Sequence, residues 1–428
     1  LERFFGLAAH GTTPRREVLA GLTTFLAMVY IVAVNPAMMA DAGIDHGAAF
    51  TATCLAAAIG SALVGLVARL PVAMAPGMGL NAYFAYVVVG GMGMPWQVAL
   101  GAVFLSGLCF MALSLTGLRA WLINSIPLSL KLGMAAGVGL FLGLLGLRGM
   151  GLVVDDPATL VRLGPLGAPA TLLSCGGFLL MAALLARGIW SGIVIGMAVV
   201  ALLGLPLGLT QFHGIFAWPP SLAPTFLQMD LAGALARPGM LAVVLTLFLL
   251  TLLDDTGTLI ATTHRAGLMR PDGSLPGLGR ALTANSGGAM IGAVLGTSTT
   301  VSYVESAAGV QAGGRTGLTA LTVAALFLLA LFLAPLATSI PGFATAPALL
   351  LVACLMAQSL RDIGWDDTTE YLPAVITAIA MPFTFSVATG IGLGFICHVA
   401  VKLLAGRGRE VGAAVWIIAA ACAAKFAI

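Results

Sequence analysis

The chain has 428 residues, of which 60% are hydrophobic and 8% charged, with a formal net charge of +3, where a soluble domain carries about 25% charged residues. That composition excludes an ordinary soluble protein and describes a polytopic membrane protein. The positive charges are scattered near the ends of apolar runs rather than gathered in a stripe, which excludes nucleic acid as a partner.

The lead-in "LERFFGLAAHGTTPRREV" is charged and broken, without a short apolar core and cleavage site, so insertion by the first span without a removable signal is expected. A span needs roughly 20 apolar residues. About fourteen candidates follow in chain order: 17–40, 46–68, 72–92, 95–117, 126–147, 170–187, 189–210, 238–262, 280–296, 298–312, 318–338, 345–360, 370–404 and 411–427. In the first, "VNP" at Val34–Pro36 marks a helix break, and the Asn35 amide is expected to satisfy the carbonyls that Pro36 frees. The third, "PVAMAPGMGLNAYFAY", carries Pro71, Pro76, Gly77 and Gly79, and the tenth contains "GTSTTVSYVE", rich in Thr, Ser, Val and Tyr. Each reads as a short extended stretch followed by a half-helix. The candidate 370–404 is too long for one simple span and holds "MPFTF", where Pro382 breaks or kinks the helix; one kinked span and two helices both fit.

With the N-terminus inside, Arg3, Arg15, Arg16, Arg69, Arg119, Lys131, Arg187, Arg265, Arg270, Arg280, Arg315 and Arg361 lie at cytoplasmic ends, against Arg148, Arg162 and Arg237 outside. The long non-helical stretches Gly149–Pro169 and Gln211–Pro238 then face outward, and "HRAGLMRPDGSLPGLGR" forms the main cytoplasmic loop. The halves are roughly 15–210 and 238–428. Asn35 is followed 46 residues later by Asn81, and Asp255 is followed 50 residues later by Glu305. Each half therefore has a polar break in its first and third helices. Seven spans per half is an odd number, so the second copy would be inverted in the membrane, a recurring transporter architecture.

All but three of the sixteen acidic residues sit at helix ends or in loops; the exceptions are Asp254, Asp255 and Glu305. An ionisable group near the bilayer centre costs roughly 2.5–3.5 kcal/mol on insertion scales, so it is buried against protein, paired, or working. Irregular backbone at that depth must be buried or line a cavity. The half-helix starts near Gly79–Asn81 and Val304–Ser306 would turn free N–H groups and positive dipole ends toward a shared site. Bland readings stand beside these. Glu305 could cap its half-helix, Asn81 could tie two backbone segments together, and Tyr303 could be a packing aromatic rather than a cover for a flat ligand.

Other segments carry less. "RDIGWDDTTE" reads as a solvated cytoplasmic loop, and "AGGRTG" lacks the Lys-Ser/Thr of a phosphate-binding loop. The cysteines Cys54, Cys109, Cys175, Cys354, Cys397 and Cys422 read as small apolar packing residues. The dispersed histidines suggest no metal, and no cofactor is expected.

The stretches "APGMGLNAYFAY", "GTSTTVSYVESAAGVQAGGRTGLTA", "LPGLGRAL" and "MPFTFSVATGIGLGFI" resemble the signatures of the AzgA-type purine permeases, from the first helix to about residue 405. The resemblance implies an all-α membrane protein of fourteen helices in two inverted seven-helix repeats, with a core domain (1–117 and 238–339) and a gate domain (118–237 and 340–428). It also implies proton-coupled import of hypoxanthine, guanine and adenine across the cell inner membrane, by movement of core against gate. A homodimer is compatible with such a carrier.

Residue by residue, the resemblance implies a substrate site of Asn81 with its neighbour Leu80, Asp254 with Thr258, and Ser302, Tyr303 and Glu305. Asp254, Glu305 and Asp255 become the proton-coupling acids. Adjacent helical residues point about 100° apart, and Thr258 and Thr251 lie one turn from either aspartate, so periodicity does not choose between them. The family pattern favours Asp254, three residues before Gly257, as the ligand-facing acid. Asp255 would turn toward the third segment or a threonine hydroxyl. Two departures stand out: Thr251 and Thr389 occupy positions where the family carries aspartate. Carboxylates can accept from the ring N–H groups of a purine, and an acid sequestered from water is able to carry a proton. The rivals are a uracil, xanthine or anion carrier on the same fold and, from another class, an intramembrane hydrolase, for which no catalytic motif is present.

Overall fold

The computed structural model describes residues 2–116, 125–268 and 277–427. The central part of the expected cytoplasmic loop, with Arg270 and part of the "LPGLGRAL" signature, and Arg119, expected at a cytoplasmic end, lie outside the described residues. Helix dominates because a chain in hydrocarbon must satisfy every backbone N–H and C=O within itself. Among the described residues nine helices are long and apolar enough to cross a membrane, and Met78–Gly91, Gly192–Gly204 and Ala413–Ala423 are shorter apolar helices. The chain divides into two compact units, Leu1–Leu115 with Arg148–Ala348, and Thr116–Leu147 with Leu349–Ile428.

In the first unit, Thr13 caps the helix Pro14–Met28 by accepting from the Arg16 N–H at 3.3 Å. The first span is interrupted at Val29–Tyr30, ahead of the helix Ile31–Asp41, and Pro36 lies inside that second piece. The break therefore falls before the proline, and the Asn35 amide does not serve the freed carbonyls as expected. It donates to Thr53 Oγ1 at 2.7 Å and Thr297 Oγ1 at 2.9 Å, tying the first span to the second and to the tenth segment. The span His46–Ala68 crosses the helix Gly317–Ala330 at backbone contact, since a Cβ on Gly65 would stand 2.7 Å from the Gly317 carbonyl oxygen. Small residues at such crossings let helices pack where lipid supplies no hydrophobic drive.

The third and tenth segments have the expected form. Strand Met74–Pro76 leads into helix Met78–Ala82, and strand Thr300–Ser302 precedes helix Ser306–Gln311. The two strands pair antiparallel, Met74 with Ser302, Ala75 with Val301 and Pro76 with Thr300. The stretch 149–169 holds a β-hairpin, Val153–Asp156 with Leu160–Leu163, and the second long stretch expected to be non-helical contains the helix Leu231–Ala236. Neither was legible, because exposed two-strand ribbons and single helical turns leave little periodicity. Only Cys54 among the cysteines is buried; Cys109 and Cys354 are exposed. The exterior of a membrane protein is itself apolar, so a small apolar side chain can face lipid as readily as core.

In the second unit the candidate 370–404 is two helices, Thr368–Phe383 and Val387–Leu404, packed as a hairpin. Pro382 ends the first, and Ser386 caps the second by accepting from the Thr389 N–H at 3.2 Å and its hydroxyl at 2.9 Å. Thr389 is thus part of a helix cap. The hairpin returns the chain to its starting side, where ion pairs join its two ends. Lys402 meets Glu370 and Glu410 at 2.8 Å each, and Arg407 meets Asp367 and Glu410 at 2.8 Å each. The "RDIGWDDTTE" stretch is therefore clasped rather than simply solvated. Ser129 also donates to Glu370.

The clasp has a pH signature. The Thr369 hydroxyl and then the Arg407 guanidinium hold Asp367 down at about 2, and Arg407 and then Lys402 do the same for Glu410. Unfolded carboxylates titrate near 4. The stabilisation these two acids supply is then present above about pH 4 and lost as pH falls toward about 2. Melting curves in detergent should show this acid-range loss in the wild type and a much flatter response in Arg407→Ala; superimposable acid limbs would remove the clasp as its cause.

Candidate functional site

A two-stranded ribbon has two unpaired edges, and a buried unpaired backbone group costs about 1–3 kcal/mol. Here side chains from neighbouring helices close both edges. On the third-segment strand, the Ser61 hydroxyl accepts from the Met74 N–H at 2.9 Å and donates to its carbonyl at 3.1 Å. On the tenth-segment strand, the Ser302 N–H donates to Asp255 Oδ1 at 2.6 Å. Beyond the strand ends, Tyr303 N donates to the Ala73 carbonyl at 2.9 Å, Gly77 N to that of Thr299 at 3.0 Å, and Ala73 N to Ser306 Oγ at 3.0 Å. The Tyr303 hydroxyl donates to the Pro76 carbonyl at 2.6 Å. Proline at 76 cannot donate to the ladder, and its carbonyl is used instead.

The adjacent aspartates of the helix Met240–Arg265 part company at this ribbon. Asp255 is fully buried and engaged by the strand, with Oδ2 lacking a hydrogen-bond partner among the described residues. It faces the tenth segment, not the third segment or a threonine hydroxyl, because the strand edge offers a backbone donor that nothing else satisfies. Asp254 is exposed. An acid within an apolar span faces the protein interior or a water-filled cavity rather than lipid. Asp254 lies in the neighbourhood of Glu305 and Tyr303.

Glu305 stands at the N-cap of the helix Ser306–Gln311, yet its side chain makes no capping bond. It is buried and accepts at Oε1 from the Tyr30 hydroxyl at 2.8 Å. The sequence reading had no role for Tyr30; its only signal is a polar aromatic in the middle of the first span. Asn81 is buried and accepts from the Ser298 hydroxyl, while its Nδ2 lacks a partner among the described residues. Ser302 Oγ accepts from Asn285 Nδ2 at 2.7 Å, so Asp255, Ser302 and Asn285 form one buried polar knot. Leu80 is buried and packs beside Gly77, and Thr258 is buried one turn beyond the aspartates.

The structure thus brings Asp254, Tyr303 and Glu305 together with Tyr30, and ties Asn81 to the stretch that enters the tenth-segment strand. Ser298, Asn285 and Ser61 were missed because small polar residues in apolar runs have no distinctive spacing. Glu17 was missed for another reason: it reads as an ordinary first-turn acid. It is fully buried and accepts from the N–H groups of Arg315 and Thr316 at 2.9 and 3.2 Å, and from the hydroxyls of Thr316 and Thr319 at 2.9 and 2.6 Å. The "AGGRTG" loop is therefore gripped by this acid, and the Arg315 guanidinium caps the preceding half-helix at the Val310 carbonyl, 2.7 Å away.

A family model described as the Permease family matches residues 15–393. The adenine permease AdeP of Escherichia coli (strain K12) is 47% identical over 419 residues, covering 98% of this chain and 94% of its own. The guanine/hypoxanthine permease PbuG of Bacillus subtilis (strain 168) is 46% identical over 425 residues, covering 96% of each. Among solved structures, the transmembrane domain of the cyanobacterium bicarbonate transporter BicA matches with a TM-score of 0.69 at 17% identity, over 87% of this chain and 96% of that one. At that identity the likeness is one of fold.

The two aspartates should separate on stability. Asp255→Ala leaves the Ser302 N–H unpaired and is expected to destabilise the protein by about 1–3 kcal/mol. Asp254→Ala, at an exposed position, is expected to leave the melting temperature nearly unchanged. Equal shifts for the two variants in a detergent thermal-shift assay would contradict this division.

Proposed function

The chain belongs to this permease family of nucleobase transporters, and from that membership we propose that it carries purine nucleobases across the cell inner membrane by proton-coupled alternating access. The observation that supports the substrate class best is the placing of exposed Asp254 beside buried Glu305, whose carboxylate is held by the neutral hydroxyl of Tyr30. Adenine, guanine and hypoxanthine all carry a ring N–H beside further donors and acceptors. Two carboxylates near one another offer acceptors for such donors. Among the described residues, the side chain that bonds Glu305 is Tyr30, Tyr303 lies near both acids, and no cation pairs with either. An anion would meet two acids and no cation among the described residues there, which disfavours an anion carrier despite the shared fold with BicA.

The same pair supplies the proposed proton coupling. Carboxylates can bind and release a proton, and Asp254 is the exposed member of the pair. Binding a base and taking up a proton then occur at one place. The N-terminus is read as cytoplasmic from the distribution of lysine and arginine. The hairpin at 368–404 fits that orientation, since it brings Lys402, Arg407 and Arg409 to the same side as Arg361.

Two measurements test this reading. Proteoliposomes with an alkaline lumen should accumulate labelled adenine, guanine or hypoxanthine, and a protonophore should abolish the accumulation; uptake indifferent to both would end proton coupling. Glu305→Gln should weaken purine binding by about tenfold or more, because a hydrogen bond to a charged acceptor contributes about 1.5–3 kcal/mol against about 1 for a neutral one. Unchanged affinity would remove Glu305 from the binding site.

A further inference from the structure

We propose that Tyr30 is the positioning residue for Glu305, holding its carboxylate toward the ligand without neutralising it; this rests on the purine reading of the site. The first span breaks at Val29–Tyr30, and Tyr30 is the N-cap of the helix Ile31–Asp41. The break places a buried hydroxyl against the start of the tenth half-helix, 275 positions away in the chain. A buried tyrosine needs a hydrogen-bond partner, and that need alone would be a packing explanation.

The behaviour of Glu305 argues for more. A glutamate at an N-cap ordinarily has backbone N–H groups of its own helix to accept from, yet this one makes no capping bond and turns to Tyr30. A carboxylate has about four acceptor positions, so one hydroxyl fixes the direction of Glu305 and leaves capacity for a ligand donor. The choice of partner matters as well. An arginine or lysine would fix the carboxylate equally well but would cancel the charge that makes it a strong acceptor. Tyrosine donates and adds no charge.

The groups that face Glu305 fit this division of labour. Asp254 approaches from the helix Met240–Arg265 and Tyr303 from the end of the strand, but the Tyr303 hydroxyl is already committed to the Pro76 carbonyl. Glu17, on the first helix, is committed to the Arg315–Thr319 loop beyond the far end of the half-helix. Among the described residues Tyr30 is thus the neighbour whose hydroxyl bonds Glu305. Positioned acceptors bind more tightly because the ordering has been done before the ligand arrives.

Tyr30→Phe removes the hydroxyl and keeps the ring. The infrared carboxyl band that disappears in Glu305→Gln should shift in Tyr30→Phe, reporting the lost hydrogen bond in the ligand-free protein. Affinity for adenine and hypoxanthine should fall about tenfold, the size expected for one hydrogen bond to a charged group. Introduced into Glu305→Gln, the same change should cost little further affinity, as expected for two residues acting as one unit. An unshifted band, or full affinity in Tyr30→Phe, would overturn the proposal. So would an equal loss in the wild-type and Glu305→Gln backgrounds, which would make Tyr30 a packing residue. A wild-type protein that binds neither base would overturn the purine reading instead, and the band shift would show this as a separate failure.

Discussion

The site depends on the antiparallel pairing of Met74–Pro76 with Thr300–Ser302. Extended backbone within a membrane protein is tolerable only where each peptide group finds a partner, and a two-stranded ribbon leaves two edges open. Ser61 closes one edge and Asp255 the other. That second closure fixes the rotation of the helix Met240–Arg265. Once Asp255 is turned into the strand, its neighbour must emerge about 100° away, which is where Asp254 reaches an exposed position. A backbone requirement in one segment thereby selects which of two adjacent acids is exposed in another.

The membrane class, the broken third and tenth segments and the unusual acids were all legible, because each leaves a local mark. Proline and glycine punctuate the third segment, hydroxyl-rich and β-branched residues the tenth, and an acid in an apolar run announces itself by its cost. What joins these parts was not legible. Tyr30 meets Glu305 and Ser298 meets Asn81 across separations of 275 and 217 residues, and no periodicity encodes contacts of that range. Glu17 was hidden by its ordinary place in a first helical turn. Its role comes from four donors that only the tertiary structure assembles.

The hairpin at 368–404 shows a different kind of ambiguity. Pro382 marked a disruption, but a proline ends a helix in one setting and kinks it in another. The deciding features are the Ser386 cap and the charged clasp between the hairpin ends. Neither is visible to a hydropathy reading, since one is a single hydroxyl and the other joins residues that a single long span would place on opposite sides of the membrane.

The acids of this chain are held in two physically distinct ways. Asp367, Glu370 and Glu410 are held by Lys402 and Arg407, cations that cancel their charge and fix structure. Glu305 and Asp255 are held by neutral donors, a phenol hydroxyl and a backbone N–H. A neutral donor orients a carboxylate without filling its capacity to accept another hydrogen bond or a proton. For Asp255 that capacity is sealed inside the protein, where its Oδ2 lacks a hydrogen-bond partner among the described residues. For Glu305 it lies beside exposed Asp254. Acids paired with cations and acids held by neutral donors are therefore separated in the fold, and the sign of the partner, more than the presence of an acid, distinguishes the clasp from the candidate site.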